Sequence, residues 1–227
     1  GLLCRKHVVS GVEDVGPNVV KITSRPVGKK IEPKLGQFVY FRHGLGGCVR
    51  PFTVSHYDRE SGEISVTVKA IGKTTGNLQN TQAGDTVYID GPYGVFSRTA
   101  LQSDKPIVMV AGGIGITPFT RLFEELAYEP DREVHLFYGN RNKQEIVYKE
   151  ELENADHVNT VHVLSEEDDY EMETGFVGTE LMSKYVGNLR RYEFLICGPP
   201  PMITKLEAAL LEAGVPDEQI HHELFGY

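Results

Sequence analysis

Two patterns of apolar and polar positions divide this chain. Up to about Asp90, β-branched and aromatic residues come in short runs: residues 19–23 (VVKIT), 37–41 (QFVYF), 64–70 (ISVTVKA) and 86–89 (TVYI). Gly, Pro, Asp and Asn punctuate them. Val20 with Ile22, Val39 with Phe41, and Ile64 with Val66 and Val68 recur at a period of two, the spacing of a strand that buries one face. Several such strands in succession predict a small antiparallel barrel.

From about Lys105 the pattern becomes strand then helix, repeated. Strands are predicted over 107–110, 133–138, 159–164 and 193–196, and helices over 118–128, 148–153, 179–186 and 201–213. Residues 220–222 add an edge strand. This alternation predicts a parallel α/β sheet. The fold class is therefore β followed by α/β. The polar stretch 98–104 separates the patterns and gives domains over 1–101 and 102–227.

Composition narrows the classes of function. With 227 residues, 40% hydrophobic and 24% charged, the chain reads as a folded globular protein. A net charge of −9 without a basic stripe argues against nucleic acid as a partner. Cys4, Cys48 and Cys197 form no C-x-x-C pair, so zinc and iron–sulfur sites lack ligands and no metal is expected. The sparse, odd count fits reduced thiols and a cytoplasmic setting. The longest apolar run, 107–119, is broken by Gly112, Gly113 and Gly115 and falls short of the roughly 20 residues of a membrane span. No signal peptide is visible. The chain opens Gly1-Leu2-Leu3 without Met, which leads to the expectation of a processed or excised piece.

Five stretches carry candidate chemistry. The strongest is Ala111-Gly112-Gly113-Ile114-Gly115-Ile116-Thr117-Pro118, between a predicted buried strand and a helix. Its glycines permit close backbone approach and positive φ, Thr117 is placed to cap the helix, and Pro118 suits its first position. A helix N-terminus there suits a pyrophosphate. The stretch departs from G-x-G-x-x-G, because Pro118 takes the third glycine's place and Gly139-Asn140-Arg141 offers no ribose-binding acid. Arg50-Pro51-Phe52-Thr53 puts Arg50 and Phe52 on one face of a strand and the Thr53 hydroxyl on the other. Val68-Lys69 through Gly72 and Thr75 leads a strand into a Gly/Thr turn, a second anion cradle. Cys197-Gly198-Pro199 stands at a strand's carboxyl end, where ligands of open α/β sheets bind. The fifth stretch is the aromatic chain end, residues 221–227. Each has a plainer reading, as a tight turn, an ordinary strand, a buried filler thiol or terminal packing.

Taken together and in this order, the stretches resemble the ferredoxin–NADP reductase superfamily over nearly the whole chain. The resemblance implies an FAD-binding barrel followed by an NAD(P)H-binding α/β domain. It implies that Arg50 binds the FAD pyrophosphate, Phe52 lies against the isoalloxazine and Thr53 bonds near flavin N5. Pro51 would complete that motif, and Val68, Lys69, Gly72 and Thr75 match the family's second flavin stretch. Gly112, Gly113, Gly115, Thr117 and Pro118 match its nucleotide turn, with Thr117 near the nicotinamide. Cys197, Gly198 and Pro199 match its Cys-Gly-Pro-Pro, with Cys197 beside the hydride-transfer site. Phe225 is the best match to its C-terminal aromatic, which shields the flavin, and Tyr227 is the alternative. In such a site the flavin carries the redox chemistry and the protein supplies alignment.

The run Ser165-Glu166-Glu167-Asp168 replaces the Arg that NADPH-specific relatives carry after a Ser, which favours NADH, although Arg141 offers a 2′-phosphate one cation. The acceptor lies outside this segment. A haem in a fused membrane domain of the ferric reductase or NADPH oxidase kind, placing the chain at the cytoplasmic face of a membrane, competes with a small carrier such as ferredoxin or flavodoxin. Members of the first group usually carry His where this chain has Arg50. A regulatory nucleotide-binding domain without turnover is the third reading.

Overall fold

The computed structural model describes residues 4–169 and 171–223, and the chain divides into two compact units between Val95 and Phe96. In the first unit six antiparallel strands close into a barrel: β1 (Arg5–Gly16), β2 (Val19–Pro26), β3 (Phe38–His43), β4 (Arg50–Tyr57), β5 (Ile64–Lys69) and β6 (Thr86–Tyr93). Their order round the barrel is β1-β2-β5-β4-β3-β6. The period-two residues Val20, Ile22, Val39, Phe41, Ile64, Val66 and Val68 all point into the core. Helix α1 (Lys73–Leu78) follows β5 and buries Leu78.

In the second unit a six-stranded sheet runs β10-β9-β8-β7-β11-β12. Its strands are β7 (Ile107–Gly112), β8 (Val134–Asn140), β9 (Asn159–Leu164), β10 (Glu173–Thr174), β11 (Glu193–Cys197) and β12 (Ile220–Glu223), all paired in parallel. The helices are α2 (Arg98–Gln102), α3 (Thr120–Leu126), α4 (Lys149–Glu153), α5 (Thr179–Val186) and α6 (Pro200–Glu212). Every residue of β7 and β11 is buried, and apart from Glu193 at the start of β11 both are apolar, as in a parallel strand covered on both faces. Val108, Val110, Phe194 and Ile196 share one core with Met182 of α5 and Ile203, Leu206 and Leu210 of α6. The stretch 98–104, read as the polar divide, begins with helix α2 and lies in the second unit.

One local expectation is corrected. Thr117 does not cap a helix opening at Pro118. The chain from Gly113 to Ile116 is already wound as a 3₁₀ turn, with Thr117 N–H donating to the Ile114 carbonyl (3.2 Å) and Phe119 N–H to that of Ile116 (2.9 Å). Pro118 has no N–H to carry the ladder on. The α-helix begins at Thr120, whose hydroxyl donates to the Thr117 carbonyl (3.0 Å). The first free N–H groups therefore belong to the glycine turn itself.

Candidate functional site

In the barrel unit, β4 carries the Arg-Pro-Phe-Thr motif. Arg50 is exposed, its guanidinium making one long bond to the Val49 carbonyl (3.4 Å), and no carboxylate among the described residues lies within ion-pair distance. Such a cation is available to a phosphate. Phe52 is half-buried, paired with Val39 in register, and its ring meets Phe41 edge-on at 6.1 Å. Pro51 is half-buried opposite Tyr40. Thr53 is 4% exposed, and its Oγ1 has no hydrogen-bond partner among the described residues. A buried hydroxyl without a partner costs about 1–3 kcal/mol, so a ligand group that bonds it is favoured there.

The second stretch is arranged by Thr75. Its Oγ1 accepts from Ile71 N–H (3.0 Å) and Gly72 N–H (3.1 Å), which fixes the turn that opens α1. Gly72 is exposed, and a methyl group built on it would meet no atom within 4 Å, so the turn faces open space. Val68 lies wholly in the barrel core and its carbonyl accepts from Gln79 Nε2 (3.0 Å), so it braces this turn from inside. Lys69, half-buried, ends β5.

In the α/β unit, the glycines divide their work. Gly113 has φ +52° and open space around it, the one position of the turn that needs glycine for its dihedral. Gly112, Gly115 and Gly198 are needed for contact. A Cβ on Gly115 would lie 2.3 Å from the Cys197 carbonyl oxygen, one on Gly112 2.7 Å from Met202 Sδ, and one on Gly198 3.1 Å from Gly112 Cα. The turns after β7 and β11 thus touch backbone to backbone. Thr117 and Pro118 are buried behind the first turn. Pro199, exposed, accepts Met202 N–H (2.9 Å) as α6 begins.

Cys197 ends β11, fully buried, and burial pushes its thiol pKa well up, so it is neutral. It is level with Ala111 on one side and Glu223 on the other. Glu223 is half-buried, its Oε2 has no partner among the described residues, and burial raises its carboxyl to about 7. Phe225 and Tyr227 lie outside the described residues.

At the end of β8, Asn140 is 7% exposed and its amide lies beside the Tyr138 hydroxyl without hydrogen-bond geometry. Arg141 follows and is ion-paired with Glu145. Asn140, Glu145 and Glu223 belong to no motif. The sequence signals only Asn140, an amide at the end of an apolar run; Glu145 lies in the polar stretch 141–145 and Glu223 follows His221 and His222, so their meaning depends on what the fold sets alongside. No three His, Cys, Asp or Glu side chains among the described residues group to hold a metal ion.

Two family models match the two units. An oxidoreductase FAD-binding domain covers residues 9–97, and an oxidoreductase NAD-binding domain covers residues 109–208. This chain belongs to the ferredoxin–NADP reductase superfamily. Its two units are accordingly an FAD-binding and an NAD-binding oxidoreductase domain. The F component of the Na(+)-translocating NADH-quinone reductase of Idiomarina loihiensis is 31% identical over 201 residues, 78% of this chain and 49% of that protein. NADH-cytochrome b5 reductase 1 of Lodderomyces elongisporus is 29% identical over 209 residues, 87% of this chain and 67% of that protein. The chain thus spans about half to two thirds of these relatives. Among solved structures, the flavohemoglobin of Malassezia yamatoensis with bound FAD and haem superposes at a TM-score of 0.85 with 25% identity, over 98% of this chain and 60% of that one. An Amycolatopsis cytochrome P450 reductase does so at 0.85 and 25%, over 99% and 71%. No helix among the described residues is long and apolar enough to cross a membrane.

Proposed function

We propose that this superfamily member oxidises NADH in preference to NADPH and passes electrons singly to a haem protein or haem domain outside residues 1–227. Bound FAD would supply the conversion from hydride acceptance to one-electron release. The protein's own part is alignment. Arg50 offers its unpaired guanidinium to the flavin pyrophosphate, Phe52 and Pro51 form an apolar edge for the ring system, and the Thr53 hydroxyl takes the hydrogen bond near N5. The turns at Lys73–Thr75 and Gly113–Gly115 would present backbone N–H groups to phosphates. Cys197, a neutral thiol, would keep the nicotinamide end apolar and dry, and Thr117 would brace that end. Proximity then carries the rate, without a general acid or base.

The observation that carries this reading is the buried, partnerless hydroxyl of Thr53 within the Arg-Pro-Phe-Thr strand. The haem assignment rests on relatives named for a cytochrome b5, a flavohemoglobin and a cytochrome P450. The test is to purify the protein, add FAD and mix it anaerobically with NADH. A yellow protein bleached by NADH and reoxidised by cytochrome b5 is expected. A colourless protein that does not bind added FAD overturns the reading, and one reoxidised by ferredoxin but not by cytochromes overturns the haem assignment.

A further inference from the structure

We propose that Glu145 sets the preference for NADH by holding Arg141 away from a ribose 2′-phosphate, an inference that rests on the reductase reading above. In open α/β sheets the pyrophosphate sits at the glycine turn after one strand, and the ribose 2′ position is read from the end of the strand beside it. Here the glycine turn follows β7, and Gly112 is level with Gly139 of β8. The next residues are Asn140 and Arg141, so Arg141 stands where a 2′-phosphate would be met.

That cation is already committed. Arg141 is ion-paired with Glu145, four residues on. The carboxylate is the fixed member of the pair: the Glu145 side chain is 16% exposed against 60% for Arg141. The Asn142 side chain anchors it, with Oδ1 accepting from Gln144 N–H (3.1 Å) and Glu145 N–H (3.2 Å). The guanidinium is therefore drawn to the carboxylate.

Acids occupy the rest of the corner. Glu166 N–H donates to the Arg141 carbonyl (2.9 Å), which brings its carboxylate-bearing residue alongside. Lys143, the other cation nearby, is ion-paired with Asp169, and its N–H donates to Glu167 Oε2 (2.8 Å). A 2′-phosphate adds close to two negative charges, and it would meet carboxylates whose matching cations are engaged. The 2′-hydroxyl of NADH meets no such penalty. The ribose-discriminating acid that Gly139-Asn140-Arg141 lacks is thus supplied from the following 3₁₀ turn.

The test compares the unaltered holoprotein with Glu145→Gln, Glu145→Asp and the Glu145→Gln/Arg141→Gln double variant. Steady-state kcat/KM is measured for NADPH and NADH with ferricyanide, and binding of 2′,5′-ADP and 5′-AMP by calorimetry. Glu145→Gln should raise the NADPH/NADH ratio about fivefold to tenfold at low salt, through KM, with the gain shrinking to about twofold or less near 0.5 M salt. It should tighten 2′,5′-ADP and not 5′-AMP. The double variant should lose the gain, and Glu145→Asp, which keeps the charge, should keep the unaltered ratio. An unchanged ratio in Glu145→Gln, with NADH still oxidised, overturns the inference and leaves the reductase reading standing. Failure of every variant to oxidise NADH or to bind either adenosine nucleotide overturns both.

Discussion

Glu223 stands level with Cys197 across the parallel β11–β12 pair, and burial drives both side chains toward their neutral forms. The carboxyl of Glu223 is raised from 4.5 to about 7. The folded chain therefore keeps a proton that the unfolded chain releases between those values, so stability is greatest below the unfolded pKa and falls as pH rises toward 7. Glu223→Gln should raise the melting temperature at pH 8 by the equivalent of about 1–3 kcal/mol and leave it nearly unchanged at pH 4.5. Melting curves across this range decide it, and a pH-independent difference would refute the assignment.

The barrel carries the opposite dependence. His7 is fully buried, its Nδ1 lies 3.4 Å from Ser24 Oγ, and burial lowers its pKa from 6.5 to about 4. The unfolded chain binds a proton that the folded barrel refuses, so stability present above pH 6.5 is lost as pH falls toward 4. His7→Gln should remove most of that acid sensitivity, read as a flatter melting profile between pH 6.5 and 4. An equally steep loss in the variant would place the sensitivity elsewhere.

Thr53→Val separates stability from cofactor binding. Removing the partnerless hydroxyl while keeping the shape should stabilise the apoprotein by about 1 kcal/mol. The same change should weaken FAD retention and slow flavin bleaching by NADH about tenfold. Equal FAD affinity and bleaching rate in the two proteins would take Thr53 out of the site.

Gly115→Ala tests the contact between the turns. Its methyl group would lie 2.3 Å from the Cys197 carbonyl oxygen, backbone that cannot rotate away. A loss of about 1–3 kcal/mol and at least a tenfold rise in KM for NADH are expected, with the flavin spectrum preserved. A variant with unaltered KM would show that the turn can shift without cost.

The parts of this fold that were legible in the sequence are those with local signals. Period-two runs marked β2, β3 and β5, a β-branched and aromatic run marked β6, and glycine flanked by apolar residues marked the turn after β7. Strand β1 escaped because its alternation is broken by register shifts between Val9 and Gly11 and between Asp14 and Gly16. Strand β10, with two residues, is shorter than any periodic pattern. Arg50, Thr53 and Cys197 stand out by motif because their neighbours in sequence define them. Glu145 and Glu223 acquire meaning only from what the fold sets beside them, an Arg on the preceding turn and a thiol across a parallel pair, and Glu166, legible as one acid of a run, is set beside Arg141 by the fold alone. Sequence spacing does not encode such juxtapositions.

The closed barrel has a consequence for the traffic of electrons. A sheet with a free edge can bind a partner by lending it backbone hydrogen bonds along a whole strand. Six strands paired in a ring lend none. A redox partner would therefore meet this unit through side chains and loops rather than by extending its sheet, so its fit there is set by residues that can be changed one at a time.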